Sequence, residues 1–133
     1  AAPFELAPLL AVLPHATHLL MNQGEAEALV AATGTALADL PVAAVVVTRG
    51  AQGADWIAAD GTLHVPAFPV VPVDTTGAGD CFAGSLAARL DLGDTPEAAL
   101  RYAAAAAAIQ VTRPGTAAAM PAEPEVRALL AAG

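Results

Sequence analysis

A glycine-rich turn between an apolar run and a helical run constrains this chain more than any other feature. The turn extends from Asp74 to Asp80 and reads Asp-Thr-Thr-Gly-Ala-Gly-Asp. A strand-like run, Phe68 to Val73, precedes it, and a run of small residues with helical character, Cys81 to Leu90, follows it. Glycines at a strand-to-helix turn let the main chain approach a ligand and leave first-turn N–H groups unpaired. The turn therefore predicts an anion site at the start of a helix.

Asp80 is the unusual member of this turn. A carboxylate inside an anion site repels the anion unless it has a task of its own. The natural task is to accept a proton from a hydroxyl group that attacks a phosphate. The simpler alternative is an acidic residue in the first turn of a helix, where it stabilises the helix dipole. The turn as a whole favours phosphoryl transfer.

Size, charge and cysteine content narrow the class of protein. A chain of 133 residues is one domain or part of one. The net charge of −8 argues against a nucleic-acid-binding surface and against binding to an anionic membrane. The single cysteine, Cys81, excludes an internal disulfide and is compatible with a reducing cytosol. We therefore expect a cytoplasmic location.

The chain shows no membrane span and no signal peptide in its sequence pattern. Its longest run of small apolar residues, Ala103 to Ile109, is mostly alanine and falls short of the ~20 residues that a spanning helix needs. No basic region precedes the apolar residues at the N-terminus. The sequence starts without Met, within what reads as continuing structure, so we expect a fragment. We ascribe the abundance of alanine to GC-rich coding.

Strand and helix patterns alternate along the chain. The patterns predict helices over Glu5–Leu13, Gly24–Ala32, Thr35–Leu40, Asp80–Leu90, Thr95–Val111 and Glu123–Ala131. They predict strands over His18–Met21 and Ala43–Thr48, and a hairpin of Ala54–Ala59 and Thr62–Val65 around Asp60-Gly61. In the second helix we expect Leu29 and Val30 to face inward and Gly34 to end it. Alternating strands and helices indicate a layered α/β sheet.

The whole chain resembles the C-terminal half of the ribokinase-like carbohydrate kinases, also called the phosphofructokinase-B family. The strongest match is Asp74 to Gly84, which looks like the second signature of that family. Three weaker matches stand in the family's order, namely Asn22–Glu25 (its N-x-x-E element), Val47–Gly53 and Ala107–Gly115. The resemblance implies a ribokinase-like α/β/α sandwich with a mostly parallel central sheet and a β-hairpin. Residues 1–133 would form its ATP-binding and catalytic-base half, without the N-terminal half.

The resemblance implies catalysis by the turn. Asp80 would deprotonate a sugar hydroxyl and contact the sugar, while the main chain of Gly77, Ala78 and Gly79 would hold charge on the transferred phosphoryl group. The activity implied is transfer of the γ-phosphoryl group of ATP to a hydroxymethyl group of a pentose or related sugar. The 133 residues alone are expected to be inactive, because the family's first signature and most of its sugar-binding residues lie in the other half.

The resemblance also implies sites for ATP, Mg²⁺ and a monovalent cation such as K⁺. Asn22 would contact the nucleotide phosphates, and Glu25 would help to hold Mg²⁺ through water. Residues bordering the ATP would be Thr48, Gly50, Ala51, Gln52, Gly53, Gly79 and Ala104. The monovalent cation would order the turn and would be bound by Asp74, Thr76 and the main-chain oxygens of Gln110, Arg113 and Gly115, with Ala119 nearby.

Two positions depart from the family's pattern, and some assigned residues have simpler explanations. Ala104 stands where family members often have Asn or His beside the adenine, and Ala119 stands where ribokinases tend to have Ser near the cation. Asn22 is also a favoured helix cap. Asp74 is also a turn-former, and Glu25 is also an ordinary solvated carboxylate.

Other functions compete with a sugar kinase. A dinucleotide-binding oxidoreductase would need a third glycine where Phe82 stands, and a Walker-type nucleotidase needs a lysine, of which the chain has none. A non-catalytic nucleotide-binding or regulatory homologue stays open, as does a kinase of the same family that acts on a nucleoside, a fructose derivative or a 2-keto-3-deoxy sugar. The expected partners are a small-molecule sugar and ATP, with a homodimer as one expectation for the full-length protein.

The histidines and the cysteine receive no chemical role. His15, His18 and His64 show neither the spacing of metal ligands nor a pattern of acidic partners. Cys81 lies near a helix N-terminus, where the pKa of a thiol can fall, but no histidine is placed in sequence to activate it. We therefore expect no metal centre at the histidines and no thiol nucleophile.

Overall fold

A computed structural model describes residues 3–133 of the chain. Its α-helices are α1 Leu6–Val12, α2 Gln23–Thr33, α3 Ala78–Asp91, α4 Pro96–Val111 and α5 Glu123–Ala132. Its strands are β1 His18–Asn22, β2 Ala44–Thr48, β3 Ala54–Ala58 and β4 Gly61–Val65. The chain divides into two compact units. The first contains the residues up to Arg49 together with Ala54–His64, and the second contains Gly50–Gly53 together with Val65–Gly133.

The sheet has the strand order β1-β2-β3-β4. Strand β2 pairs in parallel with β1 and antiparallel with β3. Its residues Val45, Val46 and Val47 are at most 1% exposed, as expected of a β-branched run that is buried on both faces. The parallel register makes Asn22 and Thr48 Cα partners, so these two residues end their strands side by side. The Asp60-Gly61 hairpin predicted from the sequence joins β3 to β4.

Helix α2 contributes one face to the core of the first unit. Ala26 and Leu29 are buried, at the spacing of one helical turn. Val30 was expected to face inward, but this prediction was wrong, because its side chain is 38% exposed. Gly34 ends the helix as predicted, with a left-handed φ of 67°. The buried core of this unit consists of Leu13, Met21, Ala26, Leu29, Leu40, Val45 and Val47.

Helices α3 and α4 pack against each other in the second unit. Helix α4 begins as predicted, with Pro96 at its first position and the Thr95 hydroxyl accepting a hydrogen bond from the Ala98 N–H at 3.2 Å. Most of its buried face is made of methyl groups, which belong to Ala99, Ala103, Ala105, Ala106 and Ala108. Within residues 3–133, no helix combines the length and the apolar character that crossing a membrane requires.

The segment that leads into the glycine turn differs from its prediction. The run Phe68 to Val73 was expected to be strand-like but forms no strand. Pro69 and Pro72 cannot donate main-chain hydrogen bonds to a sheet, and Val71 and Val73 are 82% and 67% exposed. Hydrogen bonds to α4, rather than to a strand, hold the end of the segment. The Val73 and Asp74 N–H groups both donate to the Val111 carbonyl, at 2.6 and 3.0 Å.

Two other predicted helices are shorter than expected. The prediction over Glu5–Leu13 becomes α1 followed by a 3-10 turn at Leu13–His15. The prediction over Thr35–Leu40 leaves only a 3-10 turn at Leu37–Asp39. Leu40, which precedes Pro41, is extended, as expected of a residue before proline, whereas Leu13 keeps helical backbone before Pro14.

Candidate active site

The glycine turn lies at the start of α3. Gly77 is the N-cap and has a φ of 80°, in the left-handed region that favours glycine. A Cβ atom at this position would lie 2.9 Å from Nε2 of Gln110. The Cys81 N–H donates to the Gly77 carbonyl at 2.9 Å, and the Ala78 N–H donates to the Thr75 carbonyl at 3.2 Å. Local conformation and close packing thus both require glycine at position 77.

The N–H groups at this helix start are the candidate anion donors. Among the described residues, no acceptor is found for the N–H groups of Gly79 and Asp80. The N–H of Ala78 was expected to join the anion hole, but it already donates within the turn. The positive end of the dipole of α3 lies at the same point. The turn therefore contains three N–H groups, those of Gly77, Gly79 and Asp80, for which the described residues provide no acceptor.

Asp80 is the third residue of α3 and is exposed. Within residues 3–133, no ion pair or side-chain hydrogen bond engages its carboxylate. The carboxylate is therefore available to a substrate beside the unpaired N–H groups. This geometry is compatible both with a general base and with the simpler helix-dipole interpretation.

Asp74 connects the turn to the segment that follows α4. Its Oδ1 accepts the Thr76 N–H at 2.9 Å, and its Oδ2 accepts the Gly115 N–H at 3.1 Å. Hydrogen bonds from Thr76, through its hydroxyl and its N–H, and from the Gly115 N–H lower the pKa of Asp74. The carboxyl group is thus held as an anion that joins two segments distant in sequence.

The other residues expected near the monovalent cation lie along α4 and the segment after it. The Gln110 carbonyl accepts the Arg113 N–H at 3.1 Å, and the Arg113 guanidinium pairs with Glu125 at 2.8 Å. Ala119 is 1% exposed and has no side-chain oxygen to offer. The oxygens that the sequence analysis assigns to the cation are the Asp74 carboxylate and main-chain carbonyls, a donor set that suits a hard cation.

Asn22 and Glu25 cap helix α2 by a reciprocal pair of hydrogen bonds. The Asn22 Oδ1 accepts the Glu25 N–H, and the Glu25 Oε2 accepts the Asn22 N–H, both at 2.9 Å. The capping role that the sequence left open is therefore present. It occupies one oxygen of each side chain and leaves the Asn22 amide N–H groups available for a ligand. The strand register also puts Thr48 beside Asn22.

The turn from Gly50 to Gly53 is built for a close main-chain approach. Gly50 and Gly53 have φ values of 56° and 94°. A Cβ atom at Gly53 would collide with the Val65 carbonyl oxygen and lie 2.9 Å from the Pro66 Cα. Gly50, Ala51 and Gln52 are exposed, so their main chain is open to a ligand. Ala104 is half-buried within α4.

Three polar side chains near the end of β2 form a cluster that the sequence analysis missed. Asp55 pairs with the Arg49 guanidinium at 2.8 Å and with the His64 ring at 2.6 Å. The expectation that the histidines lack acidic partners is therefore wrong for His64. Burial raises the pKa of Asp55, but the hydrogen bonds from His64 and Arg49 outweigh it, and the pKa falls below its usual value.

Cys81 is unsuited to nucleophilic chemistry. It is 5% exposed, and burial raises the pKa of its thiol, opposite to the effect expected at a helix N-terminus. Among the described residues, no three His, Cys, Asp or Glu side chains lie together in a way that could hold a metal ion.

Comparison with known proteins identifies the family and the fold of the chain. The family described as pfkB family carbohydrate kinase matches residues 1–123. Ribokinase of Bacillus subtilis (strain 168) is 42% identical over 120 residues, covering 89% of this chain and 41% of that protein. The structure of an E. coli protein assigned as ribokinase II, in complex with ATP and Mg²⁺, superposes with a TM-score of 0.84 at 34% identity, covering 94% of this chain and 42% of that one. A Burkholderia thailandensis nucleoside kinase in complex with inosine gives a TM-score of 0.87 at 30% identity, covering 97% and 44%.

These matches define a carbohydrate-kinase domain with a ribokinase-like α/β fold, as the sequence predicted. The chain belongs to the pfkB family of carbohydrate kinases. It spans about two fifths of the length of the B. subtilis ribokinase that it matches, 41%.

Proposed function

We propose that this chain carries the ATP site and the catalytic base of a kinase that phosphorylates a hydroxymethyl group of a pentose or related sugar. One observation carries the proposal. The exposed Asp80 carboxylate lies at the N-terminus of α3, beside two N–H groups for which the described residues provide no acceptor. A base and an anion site at one helix start are what phosphoryl transfer to a hydroxyl requires.

Asp80 acts as the general base. Its carboxylate accepts the proton of the sugar hydroxyl while the hydroxyl oxygen forms a bond to the γ-phosphorus. The bond between that phosphorus and the bridging oxygen breaks, and ADP leaves. The N–H groups of Gly79 and Asp80, with the dipole of α3, stabilise the negative charge of the transferred group. The main chain of Gly77 and Ala78 shapes this anion hole.

Several separate segments are assigned to nucleotide binding. Asn22 contacts the phosphates through the amide N–H groups that its cap leaves available. Thr48, the main chain from Gly50 to Gly53, and Ala104 border the nucleotide. The ATP and Mg²⁺ bound by the E. coli relative support this assignment. Mg²⁺ supplies charge neutralisation at the phosphates, and Glu25 helps to hold it through water.

We assign a monovalent cation such as K⁺ to oxygens of the turn and of the segment after α4. Asp74 and the carbonyls of Thr76, Gln110, Arg113 and Gly115 form a set of oxygen donors without nitrogen or sulfur ligands, which suits a hard cation. Ala119 adds only its main chain. The cation contributes order to the turn and takes no part in the chemistry.

The alternatives to this proposal differ mainly in the molecule that accepts the phosphoryl group. The 42% identity with a ribokinase supports a pentose. The inosine-bound structural relative supports a nucleoside as the second candidate. Fructose derivatives, 2-keto-3-deoxy sugars and a non-catalytic regulatory homologue are the remaining alternatives. We propose a cytoplasmic protein that binds small molecules rather than nucleic acids or membranes, with a homodimer as the expected assembly of the full-length protein.

Replacing the base tests the mechanism. In the intact protein, Asp80→Asn keeps the shape of the side chain and removes the proton acceptor, so kcat falls roughly 100- to 10,000-fold while ATP binding persists. Asp91→Asn, an exposed residue at the other end of α3, is the matched control. The assay follows ADP release with ribose, other pentoses, fructose derivatives, 2-keto-3-deoxy sugars and nucleosides. Full activity in Asp80→Asn would reject the mechanism, and inactivity of the wild type on every acceptor would favour the regulatory homologue.

A further inference from the structure

Gln110 is the exceptional side chain in the core of the second unit. Among the described residues it alone combines a polar side chain with complete burial, at 0% exposure. It stands near the end of α4, whose buried face otherwise consists mainly of alanine. A buried carboxamide in an apolar surrounding is unfavourable unless hydrogen bonds compensate it.

The carboxamide of Gln110 contacts both segments of the candidate active site. Its Nε2 donates to the Thr76 carbonyl at 3.4 Å and to the Thr116 carbonyl at 3.2 Å. It also lies 2.9 Å from the place that a Cβ atom of residue 77 would take. The missing side chain of Gly77 thus leaves the space that the carboxamide needs. One side chain joins the glycine turn to the segment after α4.

The carbonyl oxygen of the carboxamide, Oε1, indicates why a glutamine rather than an apolar residue stands at this position. The Oε1 atom is buried and has no hydrogen-bond partner among the described residues. An unpaired buried oxygen is destabilising, and an apolar side chain of the same shape would avoid it. The stability of the core therefore does not explain a glutamine at this position, whereas the two bonds from its N–H groups do.

We propose that Gln110 is a positioning residue for phosphoryl transfer. Its carboxamide fixes the turn at Thr76 and Gly77, so that the N–H groups of Gly79 and Asp80 keep their direction toward the transferred group. This inference rests on the proposed function of the turn. Because a monovalent cation would hold the same two segments, loss of the carboxamide makes the turn depend more strongly on that cation.

Gln110→Met in the intact protein tests the inference, because it keeps the length of the side chain and removes its donors. Leu100→Met, at a position equally buried in α4, is the matched control. We expect the Thr76, Ala78 and Cys81 amides to lose hydrogen-exchange protection in Gln110→Met only, while Val46 in β2 keeps its protection. We expect kcat to fall roughly tenfold to a hundredfold, with KM for the sugar unchanged and with a higher K⁺ concentration needed for half-maximal activity.

The outcomes separate this inference from the proposed function. Unchanged exchange at the turn and unchanged kcat in a folded Gln110→Met protein would overturn the positioning role while leaving the kinase intact. A wild type that shows the protected turn but phosphorylates no acceptor would reject the proposed function instead. If Gln110→Met does not fold, Gln110→Leu gives the same test, since its side chain is of similar size and has no donor. Wild-type exchange in Gln110→Leu would likewise overturn the inference.

Discussion

Single residues in the turn have distinct physical tasks. Gly77 supplies a left-handed conformation and an empty position against Gln110. Asp74 ties two distant segments together through main-chain N–H groups. Asp80 keeps an uncommitted carboxylate at the start of α3. Because the tasks differ, we expect substitutions at Gly77 and Asp74 to lower the stability of the fold, and substitutions at Asp80 to lower the rate of the reaction.

Gly77→Ala should destabilise the folded protein. The left-handed conformation costs a residue with a Cβ atom about 1–2 kcal/mol, and the new methyl group would press against Nε2 of Gln110. Gly84→Ala is the control in the same helix, because nothing lies within 4 Å of its Cβ position. It should stabilise the protein by about 0.5–1 kcal/mol. Urea unfolding of both variants measures the difference, and a neutral Gly77→Ala would contradict this description of the turn.

The accuracy of the fold prediction from the sequence differed from one secondary-structure element to another. The strand β2 and the helix α4 were predicted well, because an unbroken β-branched run and the Thr95-Pro96 start are local signals. The run Phe68 to Val73 was predicted wrongly. Its hydrophobicity resembles that of a buried strand, but its two prolines are unsuited to a sheet, and its anchoring to Val111 depends on tertiary structure.

In the candidate site, too, residues of one contiguous motif were predicted, whereas contacts between residues distant in sequence were missed. The glycine turn and Asp80 were found because their motif is contiguous in sequence. The Gln110 contact with Thr76 spans 34 residues, and the Asp55 cluster joins residues from neighbouring strands and the intervening turn. The only available signal for Gln110 was a polar residue at the end of an alanine run, a pattern that does not name its partner.

The capping box of α2 allows its structural role to be separated from nucleotide binding. Asn22→Ala removes the cap and should cost about 1 kcal/mol of stability, and it should also weaken ATP binding. Asn22→Asp keeps an oxygen that can accept the Glu25 N–H, so stability should persist. The added negative charge should nevertheless raise KM for ATP. Thermal melts and steady-state kinetics of the two variants provide the measurement, and an unchanged KM in both would mean that Asn22 only caps the helix.

For the molecule as a whole, acid should reduce stability. The pKa values of Asp55, Asp74 and Asp94 all lie below the usual value in the folded state. Such groups stabilise the fold above their unfolded pKa, and this contribution is lost as the pH falls through their folded pKa values. Thermal melts should therefore show a falling Tm below about pH 4. Asp55→Asn should lower the Tm at neutral pH and flatten this dependence, whereas Asp91→Asn should leave it unchanged.

The length of the chain leads to a prediction about activity. The 120 residues that align with the B. subtilis ribokinase cover 41% of that protein. We predict that the chain alone releases no ADP in the presence of sugar, because more than half of that relative's length has no counterpart in it. A coupled assay on the purified chain, with an intact ribokinase as the positive control, measures this. Sugar phosphorylation by the chain alone would refute the expectation.

The buried alanines of α4 limit which substitutions this sequence can accept during evolution. The codons of alanine and valine differ by one base, so Ala→Val requires only a single nucleotide change. Ala99, Ala103 and Ala105 are fully buried, and two extra methyl groups at any of them would overpack the interior. Whatever the source of the alanine in this chain, selection against larger side chains would preserve it on this face.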